Sequence, residues 1–197
     1  SLAAHHHELS PEKKANNINR IRIAAQRMGK LVNDMLTLTR AEAGKLEFSP
    51  EIIDLEPFCK QLYDQLNLKA GQTLRVEGNA VKAQIYADKS LLSSILINLL
   101  SNAAKYSPEN SLIRLVIDTE ASVISFQIID QGIGIHSQER AAVLDAFYRG
   151  KNVGDISGTG LGLAVVKTCV EIHQGTLTIA SHPDQGTCVV VKLPQIE

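Results

Sequence analysis

Apolar and polar positions follow two different rhythms along this chain, and the change falls near residue 50. Between residues 10 and 45, Ile18, Ile21, Ala25, Met28, Val32 and Met35 recur at alternating spacings of three and four. That is a heptad seam, flanked by a second stripe of Ala24, Leu31 and Leu38. The segment has no proline after Pro11 and one internal glycine, Gly29. Ser10-Pro11-Glu12 supplies a capping serine and a proline at the first helical position, and Gly44 closes the helix. A helix with two adjacent apolar stripes requires a bundle to cover them.

Beyond residue 50 the pattern shortens to alternating runs. Thr73–Val76, Gln84–Tyr86, Leu112–Ile117, Val123–Ile129, Thr176–Ile179 and Cys188–Leu193 read as strands. Helical patterns over Leu55–Leu68, Lys89–Lys105 and Leu161–Ile172 lie between them. Hairpin-like gaps such as Asp118–Ser122 replace regular strand–helix alternation. The chain therefore predicts an α+β fold: a mixed, mostly antiparallel sheet with helices on one face, preceded by a long N-terminal helix. Arg149–Ser157, polar and glycine-bearing, reads as a mobile lid.

The bulk composition narrows the classes. The 197 residues are 44% hydrophobic and carry a net charge of -1, so no strong field points to nucleic acid or an acidic membrane surface. No apolar run approaches the roughly 20 residues of a membrane span, and direct membrane contact is not expected. Cys59, Cys169 and Cys188 are odd in number and widely spaced, without a C-x-x-C pair. A reducing, cytoplasmic setting is the natural expectation, with a membrane anchor possible in a longer parent protein.

Three segments carry the candidate chemistry. On the Lys89–Lys105 helix, Asn98, Asn102 and Lys105 sit at i, i+4 and i+7 and project together. An amide oxygen suits magnesium, and a lysine is a point charge for phosphate; read alone, the same face is equally a solvated helix surface. Asp130 ends an apolar strand and precedes Gly132 and Gly134. It could accept from the amino group of a purine, with glycines allowing close backbone approach, or it could simply make a turn. Gly158-Thr159-Gly160-Leu161-Gly162-Leu163 opens an apolar helix whose free N–H groups favour phosphate. Its G-x-G-x-G spacing without a preceding strand argues against a Rossmann site, and no P-loop motif is present. His136, His173 and His182 are scattered, and His5–His7 read as a loop or a tag remnant.

In order, NLLSNAAKYS, DQGIGI, AFYRG, GTGLGL and a GT before the final strand resemble the catalytic ATP-binding domain of sensor histidine kinases. The resemblance spans about Asp88–Pro194. QRMGKLVNDMLTLTRAEAG is similar to the second helix of that family's dimerisation and phosphotransfer hairpin. The resemblance implies a Bergerat-type (GHKL) α/β sandwich, with residues 1–47 as the hairpin helix and 48–197 as the ATP-binding domain. It implies ATP and Mg2+ as ligands, a response-regulator receiver domain as partner, and a homodimer through the hairpin helices.

Carried over by position, Asp130 would bind the adenine amino group and Asn102 the magnesium. Asn98 and Lys105 would lie near the phosphates and Tyr106 would line the pocket. Gly132, Gly134 and Ile135 would shape the adenine side. Phe147 and Arg149 would stand beside the lid. Gly158, Thr159, Gly160, Leu161 and Gly162 would meet the phosphates, and Thr187 would sit near the adenine. The family's acceptor histidine occupies a segment like H-E-[LI]-R-T-P-L. This chain offers only His7-Glu8-Leu9-Ser10-Pro11, one residue short and without the apolar helix that should follow. The acceptor is therefore expected outside this chain. A serine kinase or gyrase-like ATPase on the same fold would lack the heptad helix. A docking module that has lost ATP binding would not keep Asn102, Asp130 and the glycines.

Overall fold

The computed structural model describes residues 10–154, 156 and 158–195. Helix α1 spans Pro11–Glu42, with the Ser10 hydroxyl accepting from the Lys13 N–H at its start. It ends as predicted, at Ala43 with Gly44 beyond it in the left-handed region (φ 64°). The heptad stripe is left open: Ile18, Ile21, Met28, Val32 and Met35 are all exposed, Met28 to 69%, as are Leu31 of the second stripe and Leu36. On another side, Asp34 is buried and Leu38 packs against the core.

The remaining elements are β1 (Glu51–Asp54), α2 (Leu55–Tyr63), β2 (Thr73–Glu77), β3 (Gln84–Ala87), α3 (Lys89–Tyr106), β4 (Leu112–Glu120), β5 (Val123–Ile129), α4 (Gly162–Ile172), β6 (Thr176–Ser181) and β7 (Thr187–Pro194). Three single-turn 3-10 segments lie between β5 and α4. The main sheet has the order β2-β4-β5-β7-β6, parallel only at β2–β4. β1 and β3 form a separate antiparallel ribbon.

Alternation puts Ile113, Leu115 and Ile117 of β4, Ile124, Phe126 and Ile128 of β5, and Val189, Val191 and Leu193 of β7 into the core. They meet one helical layer, through Leu92, Ile95, Leu96 and Leu99 of α3 and Val165, Val166, Cys169 and Val170 of α4. The predicted mixed sheet with helices on one face is thus observed. Two elements differ from expectation. β1 was not foreseen, because its four residues bury only Ile53 and so show no alternation. α2 stops at Tyr63 rather than Leu68, since Gln65 and Leu66 make tight bonds back to Leu62 and Tyr63.

The ends of α3 and α4 are pinned by buried polar groups. The Asp88 carboxylate accepts from the N–H groups of Ser90, Leu91 and Ser49. The Gln72 amide donates to the Ala104 and Pro108 carbonyls at the other end of α3. His173, buried past α4, accepts from the Asp88 N–H through Nε2 (3.2 Å) and reaches the Cys169 carbonyl with Nδ1 (2.8 Å). Those bonds require a neutral ring with the proton on Nδ1. Burial pushes the His173 pKa below its ordinary value, against the opposing pull of the Cys169 carbonyl and Asp88. The unfolded chain then binds the extra proton more readily, so this group's stability is complete above about pH 6.5 and is lost as pH falls towards the lowered value. Denaturant titrations should show His173→Gln flattening the pH profile between pH 7.5 and 5.5, by at most about 1.4 kcal/mol per pH unit. Parallel profiles for the two proteins would contradict this.

Candidate active site

The chemistry-bearing segments meet in one cavity of about 670 Å³ between α3, the start of α4, the β5 exit and the loop residues 149–153 and 156. Its size suits a small organic ligand with polar substituents. Lys105, Arg149, Arg27, Lys30 and Lys69 line it, and Asp130 is the single carboxylate among the described lining residues. The cavity therefore fits a strongly anionic ligand that also presents one hydrogen-bond donor group.

Asp130 stands at one end, just past β5. Its Oδ1 accepts from the Gly132 N–H (2.7 Å) and the Thr187 N–H (3.2 Å). Oδ2 has no hydrogen-bond partner among the described residues. Burial raises the carboxyl's pKa, opposed by those two N–H groups. The adjoining wall is closely packed: Gly134 has φ 67°, and a Cβ there would collide with the His182 carbonyl oxygen. Ile135 N–H donates to the Ser181 hydroxyl, which contacts Thr187 Oγ1 at 2.9 Å.

The far end is cationic. A Cβ on Gly158 would lie 2.5 Å from Lys105 Nζ, so the glycine segment passes directly over that ammonium. Lys105 Nζ also contacts the Tyr106 hydroxyl at 2.9 Å. A Cβ on Gly162 would lie 3.0 Å from Asn98 Oδ1, which brings Asn98 to the first turn of α4. The first-turn N–H groups and positive dipole end of an 11-residue helix face this region. Asn102 lines the same wall, and its side chain makes no hydrogen bond to another described residue.

The outer loop is organised around Glu139. Its Oε1 accepts from the Tyr148 hydroxyl (2.8 Å) and the Lys151 N–H (3.1 Å), which hold the carboxyl below its usual pKa. Arg149 donates to the Ile156 carbonyl (2.7 Å), and Asn152 to the Gly134 carbonyl (3.0 Å).

The sequence profile described as "Histidine kinase-, DNA gyrase B-, and HSP90-like ATPase" matches residues 87–197. The chain belongs to this ATPase family. Among curated relatives, the sensor histidine kinase WalK of Bacillus subtilis is 32% identical over 178 residues, which are 87% of this chain and 29% of WalK. The sensor protein KdpD of Escherichia coli is 30% identical, over 84% of this chain and 19% of its own length. The chain thus spans less than a third of these two relatives. Among solved structures, the mycobacterial sensor histidine kinase MprB superposes with a TM-score of 0.60 at 29% identity, covering 74% of this chain and 97% of that one. Full-length ShkA, solved with AMPPNP, superposes at 0.73 with 23% identity, over 92% of this chain and 39% of its own, and shares the fold. The structure has the GHKL-type histidine kinase catalytic domain fold, with a helix in front of it.

Within this ATPase domain, the cavity gathers most of the residues singled out from the sequence. Asn98, Asn102, Lys105, Tyr106, Asp130, Gly134, Ile135, Arg149, Gly158, Thr159, Gly160, Gly162 and Thr187 line it. Gly132 lies behind Asp130, where a Cβ would meet Tyr106 O at 3.0 Å. Leu161 is fully buried beneath the glycine segment, and Phe147 is 62% exposed outside the cavity, with its N–H on the Gly160 carbonyl. The His5–His7 run, including His7, lies outside the described residues. Lys69, Tyr148 and Asn152 were not foreseen, nor were Arg27 and Lys30 of α1. The heptad pattern marks α1's polar side only as polar; nothing in it shows that this side folds onto α3 and α4.

Proposed function

We propose that this chain is the ATP-binding part of a sensor histidine kinase, which passes the γ-phosphoryl group of ATP to a histidine on the other helix of a dimerising hairpin. An aspartate on a response regulator would receive the group next. On this reading residues 1–47 belong to the hairpin and 48–197 to the catalytic unit, working on the cytoplasmic side. The single observation that carries the proposal is the make-up of the cavity: one carboxylate among the described lining residues, together with several cations and a helix N-terminus.

Asp130 then takes the adenine amino group on Oδ2, since Oδ1 is already held by two backbone N–H groups. The closely packed turn at Gly134 shapes the adenine side. Lys105 and the first turn of α4 neutralise the triphosphate and orient its terminal group. Most of the catalysis comes from positioning and charge stabilisation, as in phosphoryl transfer generally. The residues also fit a magnesium ion. Among the described residues no group of three or more His, Cys, Asp or Glu could hold a metal, so the protein would offer the Asn102 amide oxygen and the nucleotide its phosphate oxygens. When bound, the ion would offset charge developing on the phosphoryl group.

α1 carries no histidine. The chain incubated with MgATP labelled at the γ-phosphate should stay at background, and an added hairpin bearing an acceptor histidine should take up acid-labile label. Label on the chain alone would overturn this reading and promote His7. No label on either partner would refute the kinase assignment.

A further inference from the structure

Two cations in the cavity wall come from α1 rather than from the sheet domain. Arg27 and Lys30 lie three residues apart on one side of that helix and both line the cavity. Lys30 Nζ donates to Asn98 Oδ1 at 2.8 Å and lies 3.4 Å from Asp34 Oδ1. Asn98 is 5% exposed, its Nδ2 is spent on the Ser94 carbonyl (2.8 Å), and its Oδ1 stands at the first turn of α4. Lys30 is therefore one hydrogen bond from the helix start that meets the phosphates.

We propose that Lys30, with Arg27 beside it, is a phosphate-positioning residue supplied by the hairpin helix, so that docking of α1 depends on the nucleotide's terminal phosphate. This rests on the ATP reading above and extends it. A neutral amide is a weak acceptor for an ammonium, and a triphosphate in the same cavity is a much stronger one. Asp34, 6% exposed with Oδ2 unpartnered among the described residues, keeps Lys30 directed at this end from one turn along the helix. Half of the Lys30 side chain remains exposed, so it has room to turn from Asn98 to an arriving phosphate. A diphosphate ends closer to the adenine and gives the pair less to hold. ATP should thus draw α1 against the catalytic unit more firmly than ADP does.

The test uses the whole chain and calorimetric titration with MgATP and MgADP. Lys30→Met should weaken ATP binding about tenfold and ADP binding less than twofold, and Lys30→Arg should restore most of the ATP affinity. Hydrogen exchange gives a second readout: amides of residues 26–38 should exchange more slowly with ATP than with ADP in the wild type, and equally in Lys30→Met. Unchanged ATP affinity in Lys30→Met, an equal loss for both nucleotides, or equal protection by both in the wild type would overturn the inference. A wild type that binds neither nucleotide would instead refute the ATP site itself.

Discussion

Asp130→Asn will bind ATP about 10- to 150-fold more weakly than the wild type while folding at least as stably. The carboxylate has one oxygen committed to the Gly132 and Thr187 N–H groups and the other available to the adenine amino group. An asparagine can satisfy only one side. With its oxygen on the backbone, its NH2 faces the NH2 of adenine; flipped, it faces two backbone donors. Losing a hydrogen bond to a charged acceptor costs about 1.5–3 kcal/mol, which gives that range. Stability moves the other way. Burial favours the protonated carboxyl, so Asp130 contributes less to folding as pH rises through its raised pKa, and the neutral amide escapes that loss. Guanine presents an oxygen where adenine presents an amino group, so the preference for ATP over GTP should narrow as well. Calorimetry with both nucleotides checks this, and equal ATP affinity in the two proteins would remove Asp130 from adenine recognition.

Gly134→Ala will lose about 3 kcal/mol of stability and most nucleotide binding. The residue sits at φ 67°, where a side chain costs about 1–2 kcal/mol, and its Cβ would collide with the His182 carbonyl. Backbone must move to relieve that contact, and the nearest backbone is the turn after β6, whose Asp184 N–H is bonded to Ile133 O. A shift there pulls Ile135 from Ser181 and disturbs Thr187. Gly29→Ala is the matched control. Apart from the helix's own backbone, no described atom lies within 4 Å of the added Cβ and the position is mid-helix, so it should gain about 0.5–1 kcal/mol. Denaturant unfolding of both variants measures the difference. A neutral Gly134→Ala would mean that the turn is compliant.

Much of this was readable from residue order. The strands of the main sheet announce themselves because they bury alternate residues on one face: Ile113, Leu115 and Ile117 show the period of two without help. Asn102, Asp130 and the glycine segment were readable because each is costly or unusual where it stands, and their order, with Lys105 beside Asn102, is specific. β1 was not readable, since a four-residue strand that buries only Ile53 leaves no period. Lys30 and Arg27 were hidden for another reason. Lysines and arginines on the polar side of a heptad helix are the ordinary solution to exposure, and only the packing of α1 against α4 makes these two different. Lys69 was hidden similarly, as it reaches the carbonyls of Lys105 and Ser107 across a loop.

The long first helix has a mechanical consequence. Lys30, Asp34 and Leu38 fall along one side of it, while Ile21, Met28, Val32 and Met35 fall roughly 140° around the axis. One residue step turns an α-helix by about 100°. Whatever grips the open stripe therefore cannot twist this rod by even part of a step without swinging an ammonium towards or away from Asn98. The same helix thus ties the rotational setting of an open apolar surface to the position of a charge in the cavity wall.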